Sequence, residues 1–439
     1  MTTDAERARF IREALPPAGL FSDQHWRIAT APFALGADLV EELDTLGRVL
    51  LQFYRAANLL YRHSLAGKQP AWVAPLLDQG KPPALLDTQQ APAFKNELPR
   101  VIRPDCLLTE TGLAITELDS VPGGIGLTAW LNQTYAKLGF PVLGGERGMI
   151  DGFASIFGPA PAVHIVISAE SAGYRPEMEW LAAQLNGDGS SKYKVQDPTF
   201  ATPADGDAVY RFFELFDLAN VPSADQLIAL AADKRIRLTP PPKPIFEEKL
   251  LLALLWNRNL RAYWRQELGE GFLHRLQKIV PYTWVIDPSP LPPHGAYPEL
   301  NLTDWQQLKT LSQRERDLIL KVSGYSEEAW GARGVYLGSD LSTADWSAAV
   351  DQALAAYGRS PYVLQRYHKP RLVESAWYDF ERNHTVPMTG RVRLCPYYFV
   401  VGEGDAARAQ LTGVLATICP ADKKIIHGMK DAILAPCIA

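Results

Sequence analysis

Apolar residues recur at Leu39, Leu43, Leu46, Leu50, Phe53 and Leu60, a three-to-four-residue spacing that predicts one long amphipathic helix over residues 36–65, its apolar stripe facing a core. Two short apolar runs within 105–119, separated by the turn signal Thr111-Gly112, predict a hairpin, and a helix over 127–138 follows. Residues 162–168 are rich in Val and Ile and predict a strand, and 177–185 predict a helix with Pro176 in its first turn. Further strands are expected over 193–197, 208–215 and 235–238, with a helix over 224–232 before the last. Strands alternating with helices predict a parallel α/β unit. Pro240, Pro241, Pro242 and Pro244 mark a boundary. Beyond them come a helix from 246 to about 265, a second proline cluster over 288–293, and strands over 318–322, 362–367 and 391–401. There is no internal repeat and no low-complexity tract.

With 439 residues, 47% of them hydrophobic, the chain can bury a large core divided among two or three domains. A net charge of -5 argues against a nucleic-acid partner held by a basic surface. Residues 1–12 are polar and lack the apolar centre of a signal peptide, and no apolar run reaches membrane-spanning length, so a cytoplasmic location with no membrane partner is expected. Cys106, Cys395, Cys419 and Cys437 are scattered, which fits reduced structural thiols and not a zinc site. His164, His274, His294 and His427 show no ligand spacing and read as structural.

The chemistry-bearing stretch is 103–124. Glu117 and Asp119 are two apart, so an extended backbone projects both from one face, and pairing across the turn can bring Asp105 beside them. Converging like charges repel, and a divalent cation is a common way to stabilise them. An all-oxygen donor set points to magnesium or manganese, ions that also bind substrate phosphates. The alternative is a row of solvated polar positions on a half-exposed hairpin. Lys321 lies near the end of an apolar strand and is followed by Gly324, Gly331, Gly334 and Gly338. Burying a lysine is costly unless its charge is paired, and a nucleotide phosphate is one such partner. The glycines would let the loop donate backbone N–H groups to phosphates. Lys249 opens the apolar run 250–256, and Gln365, Arg366 and Tyr367 end a strand with polar groups, as an adenine-binding hinge would. Each of these also has an ordinary structural reading.

The order and spacing of these pieces resemble the synthetase domain of glutathionylspermidine synthase and its relatives, the circularly permuted ATP-grasp ligases. The family's Arg-x-Asp and later Glu-x-Asn agree in spacing with Arg103, Asp105, Glu117 and Asp119. Its lysine before a Leu-rich helix ending in Leu-Trp is similar to Lys249 with Leu254, Leu255 and Trp256. Its strand lysine and glycine-containing loop are similar to Lys321 and the loop holding Gly331 and Gly334, and its hinge strand to Leu364, Gln365, Arg366 and Tyr367. The resemblance covers about residues 96–439. It implies a mixed α/β (α+β) chain, a circularly permuted ATP-grasp with a Rossmann-like pre-ATP-grasp subdomain and an N-terminal helical region. The implied division is 1–95 helical, 96–150 metal-binding, 151–245 pre-ATP-grasp-like and 246–439 nucleotide-binding. It further implies ATP and two magnesium ions held by Asp105, Glu117 and Asp119, and phosphates met by Lys249 and Lys321. Adenine would lie at the hinge, and Arg103 would be near the transferred phosphoryl group; by position alone, Arg391 and Arg393, on the late strand before Pro396, would add positive charge. Such enzymes phosphorylate a carboxylate, and an amine then attacks the acyl phosphate, so the partners would be a small-molecule or peptide carboxylate and an amine. The loop 324–338, with Trp330 and Arg333, would be a lid. The chain departs from the family in Asp119, where Asn is common, and in Glu327 and Glu328 within a longer loop.

Two other readings compete. Gly124, Gly126 and Ala129 fit a G-x-G-x-x-A dinucleotide fingerprint, which would make the chain an NAD(P)-linked oxidoreductase, although Glu117 and Asp119 would repel a pyrophosphate there. The other is a nucleotide-binding scaffold without turnover. No P-loop pattern occurs.

Overall fold

The computed structural model describes residues 3–23, 25–187, 189–329, 333–426 and 430–439. The chain forms two compact units, unit 1 from Met1–Tyr54, Ala91–Pro242 and Pro370–Ala439, and unit 2 from Arg55–Gln90 and Lys243–Lys369.

Thr3 and Glu6 form a reciprocal capping box that starts α1 (Asp4–Glu13). The short helix α2 (Gly19–Ser22) and the two-residue strands β1 (Arg27–Ile28) and β2 (Phe33–Ala34) follow. The long helix expected over 36–65 is α3 (Ala37–Leu65), and it buries Leu43, Leu46, Leu50, Phe53 and Leu60 of its predicted stripe. After α4 (Val73–Asp78) and α5 (Pro83–Gln90) come the expected hairpin, β3 (Val101–Thr109) with β4 (Gly112–Asp119), and the helices α6 (Ile125–Lys137) and α7 (Gly148–Ser155). The α/β stretch runs β5 (Val163–Ile167), α8 (Arg175–Asn186), β6 (Tyr193–Gln196), β7 (Ala208–Phe212), α9 (Ala224–Ala232) and β8 (Arg237–Thr239). It is a parallel sheet in the order β6-β5-β7-β8, as the alternating pattern predicted. Every residue of β5 is buried, which a parallel strand covered on both faces requires. Ile165, Ile167, Tyr210 and Phe212 pack with Met178 and Leu181 of α8, whereas Val166, Val209 and Leu238 pack with Leu227 of α9.

Unit 1 also holds an eight-stranded, mostly antiparallel sheet with the path β1-β16-β15-β14-β3-β4, built from β13 (Leu372–Asp379), β14 (His384–Val401), β15 (Arg408–Pro420) and β16 (Ile433–Ile438) around the hairpin. Part of one face is apolar: Tyr397, Phe399, Leu415 and Leu434 meet Leu127, Met149 and Phe153 of α6 and α7.

In unit 2 the single helix expected from 246 divides. A short 3-10 turn at Pro244–Glu247 precedes α10 (Leu250–Trp256), and α11 (Arg261–Ile279) begins after a break. At the break Asn257 is extended and its side chain accepts from the Asn259 N–H, the local bond by which Asn competes with helix continuation. A four-stranded antiparallel sheet of order β11-β10-β12-β9 follows, made of β9 (Thr283–Val285), β10 (Leu318–Val322), β11 (Val335–Leu337) and β12 (Tyr362–Arg366). The helix α12 (Thr343–Ala356), capped by the Ser342 hydroxyl, sets Trp346 and Val350 against Leu318, Leu320, Val322 and Leu364. All four cysteines are free and buried. Among the described residues no helix is long and apolar enough to cross a membrane.

Candidate functional site

The hairpin register pairs Arg103 with Asp119 and Asp105 with Glu117, so these four side chains leave one face of the sheet. A shift in register between Asp105 and Cys106 marks a bulge, a device that re-aims side chains beside sites. On the other side of β3, β14 contributes Arg393 and Cys395. Arg103 Nη2 donates to Asp119 Oδ2 at 2.9 Å and lies 3.1 Å from Asp105 Oδ1. Arg393 Nη1 donates to Asp105 Oδ2 at 3.0 Å, and the Cys395 thiol donates to Asp105 Oδ1 at 3.5 Å. The second Asp119 oxygen accepts from the Val121 N–H at 2.8 Å. Asp105 is therefore gripped by two guanidinium groups. For both arginines, burial works against the charge but the carboxylates more than offset it, so each pKa rises. Burial pushes the Asp119 carboxyl up to about 6, with Arg103 opposing and Glu117 and Asp105 adding to the rise. The Cys395 thiol is pushed up to about 11, by burial first and then by Asp105, so it is a proton donor and not a thiolate.

The loop after β4 is pinned from three sides. The Gly123 carbonyl accepts from Tyr397 Oη at 2.7 Å and from Arg103 Nη1 at 3.3 Å. Gly124, at φ +84, begins α6, and its N–H donates at 2.7 Å to one oxygen of Glu177, whose other oxygen accepts from the Leu127 N–H at 2.9 Å. A carboxylate from α8 thus occupies the anion-binding end of α6. This overturns the dinucleotide reading: Glu177 sits where a pyrophosphate would, and the preceding strand belongs to an antiparallel hairpin. Gly126 serves close helix packing, since a Cβ there would lie 2.2 Å from the Glu177 carbonyl oxygen. Burial raises the Glu177 carboxyl to about 7 against the opposing pull of its three backbone donors.

The donor set of Asp105, Glu117 and Asp119 is all oxygen and gathered on one sheet face, so its chemistry fits magnesium. The present arrangement satisfies Asp105 and Asp119 with arginines, and among the described residues no group of three His, Cys, Asp or Glu forms a ready-made cage.

In unit 2, Lys321 is 7% exposed and its Nζ donates to Gln365 Oε1 at 2.9 Å. Gln365 Nε2 donates to Thr283 Oγ1 at 3.1 Å, and that hydroxyl donates to the Pro281 carbonyl at 2.8 Å. The register of β10, β12 and β9 places these three polar side chains on one sheet face. Arg366, the next residue, projects to the opposite face, where it lies over Trp284 and donates to the Glu299 carbonyl at 2.9 Å. Tyr367 donates its N–H to the Asp317 carbonyl. Lys249 Nζ reaches the Ala329 carbonyl at 3.4 Å, a long bond to the loop after β10. Gly334 closes that loop, its N–H donating to the Glu328 carbonyl at 2.7 Å, and Tyr362 Oη donates to the Glu328 carboxylate at 3.3 Å. Gly331, Trp330 and His427 lie outside the described residues.

The sequence singled out Arg103, Asp105, Glu117, Asp119 and Arg393 in one cluster and Lys321 and Gln365 in the other, but it missed Thr283, and it missed Glu177, Cys395 and Tyr397 as supports. No local pattern marks them, because each acts on residues far along the chain.

No family model matches the chain, and no curated protein matches it. Among solved structures, the fold is shared with a synthetase-like protein. That protein is a glutathione synthetase-like effector from Globodera pallida in its apo form, 11% identical, with 100% of this chain and 98% of that one covered and a TM-score of 0.55. At this identity the likeness is one of fold. A candidate gamma-glutamylcysteine synthetase from Methylobacillus flagellatus KT is also similar, at 11% identity over 92% of this chain and 89% of that one, but its TM-score of 0.42 is too low to bear on the fold.

Proposed function

We propose that the chain is an ATP-dependent carboxylate–amine ligase with a circularly permuted ATP-grasp architecture, working through an acyl phosphate. The observation that carries this reading is the single sheet face on which Arg103 and Arg393 flank Asp105 and Asp119, with Glu117 beside them. The fold likeness to a glutathione synthetase-like effector supports it.

In this reading Asp105, Glu117 and Asp119 would hold magnesium, which when bound neutralises phosphate charge. Arg103 and Arg393 offer fixed donors to charge developing on a transferred phosphoryl group, a term that does not require reorganisation during the reaction. The Gly123 carbonyl, held by Arg103 and Tyr397, keeps the loop after Asp119 in place. In unit 2, Lys321 and Lys249 supply positive charge for nucleotide phosphates, and Gln365 orients Lys321 at the hinge strand. The substrates are a carboxylate and an amine.

One observation favours a second reading, a nucleotide-binding scaffold without turnover: Asp105 and Asp119 already have arginine partners. Thermal-shift and calorimetric titrations with Mg-ATP and Mg-ADP, each repeated with EDTA, test both. Magnesium-dependent stabilisation followed by phosphate release with an acid and amine panel supports the ligase. Stabilisation with no release across the panel favours the scaffold, and no response to nucleotide removes both.

A further inference from the structure

The nucleotide-handling segments of unit 2 meet at a buried ion pair for which the ligase reading has no task. Lys81, in the turn between α4 and α5, places its ammonium 2.5 Å from Glu248 Oε1, and the two side chains are 0% and 1% exposed. The other Glu248 oxygen accepts from the Ser323 hydroxyl. Ser323 Oγ accepts in turn from the Leu250 N–H at 2.8 Å, and the Ser323 carbonyl accepts from the Lys249 N–H at 3.1 Å. One carboxylate therefore joins the residue before Lys249, the residue two past Lys321, and a cation from 167 residues earlier.

The surroundings fix this junction further. Gly80, at φ +73, seats the Lys81 backbone so closely that a Cβ would lie 1.7 Å from the Arg359 carbonyl oxygen. Gly324 is also tightly packed, since its Cβ would meet the Glu247 carbonyl oxygen at 2.3 Å. Tyr325, the next residue, sits at φ +44, a region that a non-glycine occupies only when its surroundings hold it, and its ring centroid is 5.8 Å from Lys81 Nζ. A fully desolvated pair gives little net stability over a packed apolar pair, because the cost of removing charge from water offsets the attraction. Its distinctive contribution is direction, as each carboxylate oxygen has one fixed partner.

We propose that Lys81 is a positioning residue for nucleotide binding: through Glu248 and Ser323 it sets the placement of Lys249 relative to Lys321 and anchors the start of the loop after β10. This rests on the ligase reading only in assigning Lys249 and Lys321 to phosphate. It gives the segment around Lys81 a role in the nucleotide half of the chemistry.

The test is calorimetry of the full chain with Mg-ADP, at a temperature where circular dichroism shows every variant folded. The variants are Lys81→Met, the charge-free double variant Lys81→Met/Glu248→Met, and Ser323→Ala, which keeps both charges and cuts the hydroxyl link. The double variant is expected to regain most of the Tm lost by Lys81→Met while its Mg-ADP affinity stays about tenfold or more below wild type, the usual effect of losing a supporting partner. Ser323→Ala is expected to lose affinity similarly. Wild-type affinity in both the double variant and Ser323→Ala would overturn the proposal and leave the pair a structural one. A wild-type chain that does not respond to Mg-ADP would instead remove the reading on which it rests.

Discussion

Arg103 stands directly across the hairpin from Asp119, and its guanidinium spans the 2.9 Å to that carboxylate and the 3.1 Å to Asp105 at the same time. The relationship comes from antiparallel register, which sets Glu117 opposite Asp105 just as it sets Asp119 opposite Arg103.

Burial separates two substitutions that the sequence alone treats alike, since Asp105 is buried whereas Glu117 is half-buried. Removing one partner from a buried ion pair costs about 3–5 kcal/mol, and with Asp105 only 10% exposed we expect Asp105→Asn to lose about 3 kcal/mol in urea unfolding. Glu117→Gln is expected to stay within about 1 kcal/mol of wild type. Both are expected to abolish magnesium-dependent stabilisation by ATP. Retention of that stabilisation in Glu117→Gln would remove Glu117 from the metal ligands.

Arg103→Lys keeps the charge but gives up the planar fork that reaches Asp105, Asp119 and the Gly123 carbonyl together. We expect ATP-dependent phosphate release to fall about a hundredfold, the scale of losing one preorganised donor. The readout is a kinetic phosphate assay on an acid–amine pair that wild type accepts.

Lys321→Met replaces a buried ammonium with an apolar chain of similar length and leaves Gln365 bonded to Thr283. Stability is expected to fall by about 1–3 kcal/mol, because the buried Gln365 Oε1 loses its lysine donor. Mg-ADP affinity is expected to fall about tenfold or more, since a charged contact of roughly 1.5–3 kcal/mol is lost. Unchanged affinity by calorimetry would take Lys321 out of the nucleotide site.

Glu177 carries a pH signature. Its folded pKa of about 7 lies above the ordinary 4.5, so folding takes up a proton between these values, and the contribution to stability is greatest below about 4.5 and declines as pH rises to about 7. Glu177→Gln removes the titration. It also turns an amide donor toward a backbone N–H, costing about 1–3 kcal/mol. A plot of Tm against pH should therefore be lower but flatter than wild type over that window, and parallel curves would show that Glu177 titrates as an ordinary carboxyl.

Much of this was legible in the chain. The stripe from Leu43 to Leu60 specified α3, and alternating Val- and Ile-rich runs specified the parallel sheet, because local periodicity there agrees with burial. The carboxylate hairpin was legible because its turn and its i, i+2 spacing are both local. β15 was missed because its apolar positions are interrupted by Ala, Thr and Gly, and its identity comes from pairing with β14 on one side and β16 on the other. The break at Asn257 was hidden by apolar residues on both sides. Within the clusters, strand alternation alone puts Arg366 on the face opposite Gln365, whereas the pairing of Gln365 with Thr283 comes from a register that residue spacing does not encode. The supports Glu177 and Cys395 act across 53 and 290 residues, distances at which a sequence window carries no signal.

The path β1-β16-β15-β14-β3-β4 has a consequence for synthesis. Asp105 and Arg393 are 288 residues apart, so on the ribosome the carboxylates emerge long before their second guanidinium, and β3 waits with one edge unpaired until β14 is made. Pairing over such separations is slow. The vulnerable species of this protein is therefore its own growing chain: nascent polypeptides stalled before His384 present an open strand edge beside an under-neutralised acidic row.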